Sequence, residues 1–330
     1  MIISLDAMGG DKAPEVTVHG AVWAARDFGI EIQLVGNPQR IEAELTKHNT
    51  QGLRLPIIPA SQVIEMTDAP AEAVRRKKDA SMNVAVQQVK SGVSKAFVTA
   101  GNSGGALAAA LFGLGRIKGI KRPALSTIYP AASEHGFCFL LDVGANTEVK
   151  AEYLYQFGLM GSLYTEKVLN IPTPRVGIVS TGEEEGKGSK LVIEAGALMK
   201  NAPFNFVGNI EGKDIPAGLA DVIVTDGFTG NVIVKVSEGL GAWIANMIKA
   251  EIKSRPMAMA GAILSRGALK AIEKKMDYRE FGGGALLGVN GVVIVTHGRS
   301  DAYTIRNALR VAKTAAENDI IAAIKAVSGK

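Results

Sequence analysis

Five loops of the 330-residue chain join glycine to a carboxylate, an amide or a lysine, a combination that can hold an anion and help it react. The first is Asp6-Ala7-Met8-Gly9-Gly10-Asp11; the second is Thr99-Ala100-Gly101-Asn102-Ser103-Gly104-Gly105. Asp142-Val143-Gly144-Ala145-Asn146 and Asp226-Gly227-Phe228-Thr229-Gly230-Asn231 follow the same design, and Gly182-Glu183-Glu184-Glu185-Gly186-Lys187-Gly188 adds a lysine. Glycine lets backbone N–H groups approach a ligand closely, and at a strand-to-helix turn those groups and the helix dipole point at it. Asp6, Gly9, Gly10, Gly101, Asn102, Ser103, Gly104, Asp142, Asn146 and Gly230 are therefore candidates for holding a small anion. His297, which ends an apolar run and opens the turn Gly298-Arg299-Ser300, joins them.

Several familiar chemistries fail on spacing. The lysine loop is not a Walker motif, because three residues rather than four separate its glycines and Gly188 follows the lysine. No G-x-G-x-x-G occurs, which removes the usual dinucleotide fingerprint. His19, His48, His135 and His297 are scattered and form no metal-ligand spacing, so no metal and no cofactor is expected. Gly101-Asn102-Ser103-Gly104 nearly spells a serine elbow but flanks its serine wrongly. The single cysteine, Cys138, sits in the apolar run Phe137-Cys138-Phe139-Leu140-Leu141 and reads as a buried strand residue. A cleft rich in backbone donors and poor in nucleophilic side chains suits a reaction whose nucleophile is the bound anion. Phosphate is already ionised at neutral pH and needs positioning and charge compensation more than a base.

The elements that must carry these loops alternate from start to finish. Strand-like runs fall at 2–6, 31–35, 55–58, 96–99, 124–129, 137–142, 175–180, 222–225 and 292–296. Helical periodicity is clearest at 14–28, 85–90, 105–114, 148–170, 189–199, 231–252 and 301–318. This predicts an α/β fold, three layers αβα around a largely parallel sheet. With no repeat, linker or composition break, residues 1–330 are expected to form one domain, which at 47% hydrophobic content can bury a core without staples.

The formal net charge of +5 has a local origin. Residues 249–275 hold seven basic residues and two acids, and the remainder is balanced at 30 of each sign. Nucleic acid is accordingly not an expected partner. On a helix, Met257, Gly261, Leu264, Ala268, Ile272 and Met276 form an apolar row and Arg266, Lys270 and Lys274 a cationic one. Residues 249–277 are thus expected to be an amphipathic basic helical hairpin that protrudes, either to pack in a dimer or to touch anionic lipid. Arg75, Arg76, Lys77 and Lys78 form a second basic run, readable as a solvated face or as a docking patch for an acidic partner. The N-terminus shows no secretory signal, and no apolar stretch reaches the roughly 18 residues of a membrane span, so a cytoplasmic protein is expected.

Taken in order, these motifs resemble those of the bacterial phosphate acyltransferases. The resemblance rests on the five loops together with Arg76-Lys-Lys-Asp-Ala-Ser-Met82 and Gly283-Gly-Ala-Leu-Leu-Gly-Val289, and runs from residue 1 to about Ser300. Two small departures are Ser103 where the family usually has threonine, and Val179-Ser180-Thr181 ahead of Gly182 where it usually has Leu-Asn-Ile. The resemblance implies a fold related to phosphotransacetylases and isocitrate dehydrogenase-like enzymes. It also implies transfer of a long-chain acyl group from acyl-acyl-carrier-protein to inorganic phosphate, giving acyl-phosphate for phospholipid synthesis. Lys187 and Asn231 occupy the positions implicated in catalysis. A homodimer, acyl carrier protein as partner, peripheral contact with the inner membrane face through Met257, Leu264, Arg266, Lys270 and Lys274, and a downstream membrane acyltransferase that consumes acyl-phosphate are further implications. With the resemblance in hand, membrane contact becomes the favoured account of the basic segment. Two other readings remain open on the sequence: a short-chain phosphotransacetylase using acyl-coenzyme A, and a non-catalytic scaffold at the membrane surface.

Overall fold

The computed structural model describes residues 1–275 and 278–328, and of residues 272–275 and 278 the backbone alone. Its strands are β1 (Ile2–Asp6), β2 (Glu31–Gly36), β3 (Ile57–Pro59), β4 (Ala96–Thr99), β5 (Ala124–Pro130), β6 (Phe137–Leu141), β7 (Arg175–Val179), β8 (Asn205–Ile210), β9 (Val222–Val224), β10 (Gly284–Leu287) and β11 (Val292–Val295). The helices are α1 (Glu15–Phe28), α2 (Pro38–Leu45), α3 (Pro70–Arg76), α4 (Ser81–Lys90), α5 (Ser103–Gly113), α6 (Ala151–Lys167), α7 (Lys190–Met199), α8 (Asp214–Ala217), α9 (Gly227–Ser254), α10 (Pro256–Leu264), α11 (Arg266–Lys275), α12 (Ala302–Glu317) and α13 (Ile320–Ser328).

The eleven strands of the described residues form one sheet, in the order β3-β2-β1-β4-β11-β10-β5-β6-β9-β7-β8. β3, β2, β1, β4 and β11 run parallel, and so do β6, β9, β7 and β8. Between the two groups, β11 to β10, β10 to β5 and β5 to β6 are antiparallel, so the groups point in opposite directions. The sheet is largely parallel, as the alternating pattern predicts. The reversal at its centre is not visible in that pattern, because β10 is a four-residue run inside a glycine-rich segment.

Alternation along each strand builds the layers. Ile3, Leu5, Val98, Ile294, Phe139, Leu141 and Val224 join one core under α1, α6 and α12. Phe97, Val293 and Val295 face the opposite core under α3, α4 and α5, while Cys138, Leu140 and Ile223 face a third under α8 and the start of α9. Both sheet faces are covered, which is why strands such as Ala96–Thr99 are buried throughout.

The register explains how oppositely directed groups share a site. Val295, last in β11, pairs with Gly284 of β10; Leu286 pairs with Leu125 of β5; Thr127 pairs with Leu140 of β6. The C-terminal ends of β11 and β6 therefore lie nearly level across the antiparallel centre. Loops leaving both groups converge there.

The basic segment is more segmented than a simple hairpin. α9 runs to Ser254, Arg255 turns extended, and Pro256 opens α10, as expected of a residue barred from helix by a following proline. No residue of α10 is buried. Met257 and Leu264 are each 89% exposed, and Arg266 and Lys270 are also exposed, so these described members of the two rows do not pack on this chain. The Ile272 and Lys274 side chains and all of Met276 lie outside the described residues. No described helix is long and apolar enough to cross a membrane.

Candidate functional site

Two buried carboxylates organise the loops from within. Asp6, 2% exposed, accepts from Ser81 Oγ at 2.6 Å, Thr99 Oγ1 at 2.9 Å and Met8 N at 3.2 Å. Burial pushes its carboxyl above the usual range, against the pull of these hydrogen bonds. Gly9 lies so close above it that a Cβ there would stand 2.5 Å from Asp6 Oδ2 and 2.8 Å from Gly101 N. Asp142, fully buried, accepts from the backbone of Leu125, Gly144, Ala145 and Asn146 and from Asn146 Nδ2. Burial raises its carboxyl as well. Both aspartates turn inward and tie loops together, and Gly9, Gly101 and Gly230 permit the close packing around them; a Cβ on Gly230 would fall 1.9 Å from Asp142 O.

Two of the three amides singled out in the sequence, Asn102 and Asn146, are likewise spent on the scaffold. Asn102 caps α5 by accepting from Gly105 N at 3.0 Å, and its Nδ2 donates to the carbonyls of Glu65, Met66 and Asp68. Asn146 Nδ2 donates to Pro123 O at 2.7 Å. What these tethers present outward is the start of α5, where Ser103 is exposed and the first N–H groups have no intrahelical partner. The start of α9 is closed from within: Gly227 N donates to Asn146 O at 2.7 Å, and Thr229 N and Oγ1 donate to the Asp226 carboxylate.

A cavity of about 170 Å³ opens where the two halves meet. Ser103 from α5, Ser126 and Thr127 from β5, Val143 after β6, Asn231 and Lys235 from α9, and Thr296 and His297 after β11 line it. Asn231 Nδ2 donates to Val143 O at 3.2 Å, which holds the amide at the rim. Lys235 Nζ and Arg299 both approach Glu238 Oε2, at 3.4 and 3.5 Å, forming a charged cluster beside the histidine. Burial first, then Arg299 and Lys235, holds the His297 pKa below its usual value. Its Nδ1 accepts from Arg299 N at 3.3 Å, so the neutral ring carries its proton on Nε2. Against the one carboxylate of Glu238, the cavity is bordered by a helix N-terminus, hydroxyls, an amide, an ammonium and an N–H-bearing imidazole, a set of donors that can receive an anion.

Of the residues named from sequence, Ser103, Asn231 and His297 line this cavity together. Gly104 and Gly10 lie in the loops behind it, the latter packed on Gly298 O and Ala100. Lys187 does not line it. That residue is exposed on the loop after β7, at the same sheet end as the loops after β6 and β9, and among the described residues its ammonium makes no hydrogen bond or ion pair. Nearby, Glu183, Glu211 and Asp214 cluster, with Lys213 paired to Glu183 and Glu211. The sequence reading overlooked Lys235, although it lies at i+4 from Asn231 and so shares its helix face.

The basic run divides. Lys77 is drawn inward to Asp68 at 2.5 Å and Val63 O at 2.8 Å, and Arg76 pairs with Glu72 at 3.2 Å. Arg75 stacks over the Phe112 ring at 4.8 Å. Cys138 is fully buried in β6, with its thiol pushed up to about 12 by burial, so it takes no part in the site. His19 and His48 stack on each other 4.8 Å apart, away from these loops.

The family model described as "Fatty acid synthesis protein" matches residues 1–323. A curated "Phosphate acyltransferase" from Heliobacterium modesticaldum is 51% identical over 327 residues, covering 98% of this chain and 97% of the relative. Another of that name, from Geobacter sulfurreducens, is 48% identical over 94% of this chain and 90% of its own length. Among solved structures, a phosphotransacetylase from Streptococcus pyogenes superposes with a TM-score of 0.64 at 18% identity, covering 95% of this chain and 94% of that one. At that identity the likeness speaks for the fold.

Proposed function

The chain belongs to the phosphate acyltransferase family, and from that premise we propose that it transfers a long-chain acyl group from acyl-acyl-carrier-protein to inorganic phosphate, yielding the acyl-phosphate used in phospholipid synthesis. The observation that carries this reading is the convergence of Ser103, Asn231, Lys235 and His297 on one small cavity. At about 170 Å³ it falls below the roughly 300–1,000 Å³ of ordinary small-molecule sites, a size that suits phosphate and a thioester carbonyl but not a whole substrate.

Phosphate binds against the start of α5, with Ser103, Lys235 and the His297 Nε2–H compensating its charge. A phosphate oxygen attacks the thioester carbonyl carbon, the Asn231 amide helps hold the developing oxyanion, and the tetrahedral adduct collapses with cleavage of the C–S bond. The phosphopantetheine thiolate leaves and takes a proton from water. No acyl-enzyme forms, in keeping with the burial of Cys138. Lys187, unpaired at the same sheet end, is assigned to neutralising the carrier-bound substrate at the cleft mouth. Arg75 and Lys78, beside the loop that covers α5, steer the acidic carrier, whereas Lys77 holds that loop.

The rest of the reading concerns assembly. Phe228, Val232, Val236, Leu240, Trp243 and Met247 form an exposed apolar stripe along α9, which supports pairing of two copies through that helix. Met257 and Leu264, beside Arg266 and Lys270, support peripheral contact with the inner membrane face, where a membrane acyltransferase would take up the product. The test is release of carrier thiol from long-chain acyl-carrier-protein with and without phosphate, run beside acetyl-coenzyme A. Phosphate-dependent release from the carrier substrate is expected. Preference for acetyl-coenzyme A would instead make the enzyme a short-chain phosphotransacetylase, and release without phosphate would overturn the mechanism.

A further inference from the structure

Phe281 and Gly283 border two cavities at once. One is the anion cavity; the other, of about 410 Å³, shares with it Ile128, Phe281 and Gly283. Phe139 and Tyr164, 2% and 3% exposed and stacked 4.8 Å apart, form the buried part of the second cavity. Val168 and Leu169 at the end of α6 and Val311 of α12 wall it, and Phe137 meets Phe281 edge-on at 5.1 Å. Its polar members, among them Glu280, Arg310 and Thr314, are partly buried, with Arg310 donating to Glu280 O at 2.7 Å.

The glycine run explains how the two hollows come to adjoin. A Cβ on Gly283 would lie 2.7 Å from Val295 O, and one on Gly284 would lie 1.8 Å from Ser126 O. The segment is therefore pressed onto β11 and β5, and the Phe281 ring is left standing between the cavities. The wall formed by Ile128, Phe139, Val168 and Phe281 is apolar and offers water few partners, so a hydrocarbon is favoured against it. On the reading that a thioester carbonyl reacts beside Asn231 and His297, the hydrocarbon attached to that carbonyl needs an apolar path away from phosphate.

We propose that the acyl chain passes between Ile128 and Phe281 into the second cavity, with Phe281 governing entry and Leu169, Val311 and Thr314 at its far end setting the chain length accepted. This rests on the acyltransfer reading above and adds a substrate subsite and its specificity residues.

The test uses carrier-bound butyryl, octanoyl and palmitoyl thioesters. Val311→Trp, which fills the far end, is expected to raise the ratio of palmitoyl to butyryl KM by roughly tenfold or more. Thr314→Phe, on a half-exposed position one turn along α12, should act in the same direction and serves if the first variant folds poorly. Independently, a palmitoyl thioester with a terminal diazirine should label the wild-type chain within 164–170 and 310–314. Labelling on the α9 stripe between Val232 and Leu240, or an unchanged KM ratio in both variants, would overturn the subsite while phosphate-dependent turnover of butyryl thioester leaves the reaction intact. Absence of phosphate-dependent turnover with every thioester would sink the underlying reading and the subsite with it.

Discussion

Asn146 Nδ2 donates to Asp142 Oδ2 at 2.8 Å and to Pro123 O at 2.7 Å, closing the loop after β6 on the buried carboxylate that it surrounds. Gly227 N then donates to Asn146 O, and Asn231 Nδ2 to Val143 O, so the start of α9 is seated on that same loop. The position of Asn231 is thus inherited from Asp142.

Asn146→Ala removes one donor from a buried carboxylate and leaves the Pro123 carbonyl without its partner. A loss of about 1–3 kcal/mol in unfolding free energy is expected. Urea titration should show a lower midpoint with an unchanged slope. Activity at saturating substrate should fall as well, because the seat of α9 loosens; a variant as stable as the parent would show that the remaining backbone donors suffice.

Asp6→Asn tests the second buried carboxylate through pH. Burial raises the folded-state pKa above the unfolded 3.8, so the native state keeps the proton to higher pH than the unfolded chain does. The stability due to Asp6 is then complete below the unfolded value and is lost as pH rises through the folded value. Asparagine does not titrate, so the parent's advantage over Asp6→Asn should be greatest below the unfolded value of 3.8 and shrink as pH rises above it. Denaturation midpoints compared at several pH values would show this, and an advantage that grew with pH would contradict it.

Much of this arrangement is legible in the sequence, and what is not has identifiable causes. The loops after β1, β4, β6 and β9 announce themselves by glycine beside Asp or Asn at the end of an apolar run. What the letters do not show is which way each polar group faces: Asp6, Asp142, Asn102 and Asn146 look like ligand groups and prove to be internal ties. β8 escapes notice because Asn205-Phe206-Val207-Gly208-Asn209-Ile210, at the sheet edge, lacks the apolar run of a central strand. β10 escapes because its four residues follow two glycines and begin with a third. α3 is a single short helix opened by Pro70, with too few residues to establish a period. Lys235 could have been found from Asn231 by helix spacing, since the helix expected at 231–252 already places the two one turn apart on one face.

Lys235→Ala, Asn231→Ala and Lys187→Ala should separate three roles. Loss of a charged hydrogen-bonding group on phosphate costs about 1.5–3 kcal/mol, so Lys235→Ala should raise the phosphate KM roughly 10- to 100-fold. Asn231→Ala removes a group engaged in the transition state and should lower kcat with little change in that KM. Lys187, outside the cavity lining, should alter the carrier-substrate KM more than the phosphate KM. All three side chains are exposed, so thermal melting should move little. A phosphate KM that responds to Lys187 and not to Lys235 would shift the anion site toward the loop after β7.

The basic segment yields the last prediction. Met257 and Leu264 are almost fully exposed, α10 buries no residue, and Arg266 and Lys270 lie beyond it, an arrangement that nothing among the described residues covers. A basic residue near an anionic bilayer contributes about 1 kcal/mol, so neutralising Arg266, Lys270 and Lys274 to glutamine should weaken partitioning onto phosphatidylglycerol-containing vesicles by roughly a hundredfold. Raised salt should weaken the parent in the same way, since the attraction falls off within a Debye length. Met257→Ser with Leu264→Ser removes apolar insertion instead, and should reduce binding to neutral and anionic vesicles alike. Turnover of soluble substrate should survive both sets, because these residues lie outside the cavity lining. Sedimentation with vesicles of each composition reads the result, and equal binding by parent and charge-neutralised chain would leave the stretch to a packing role between copies.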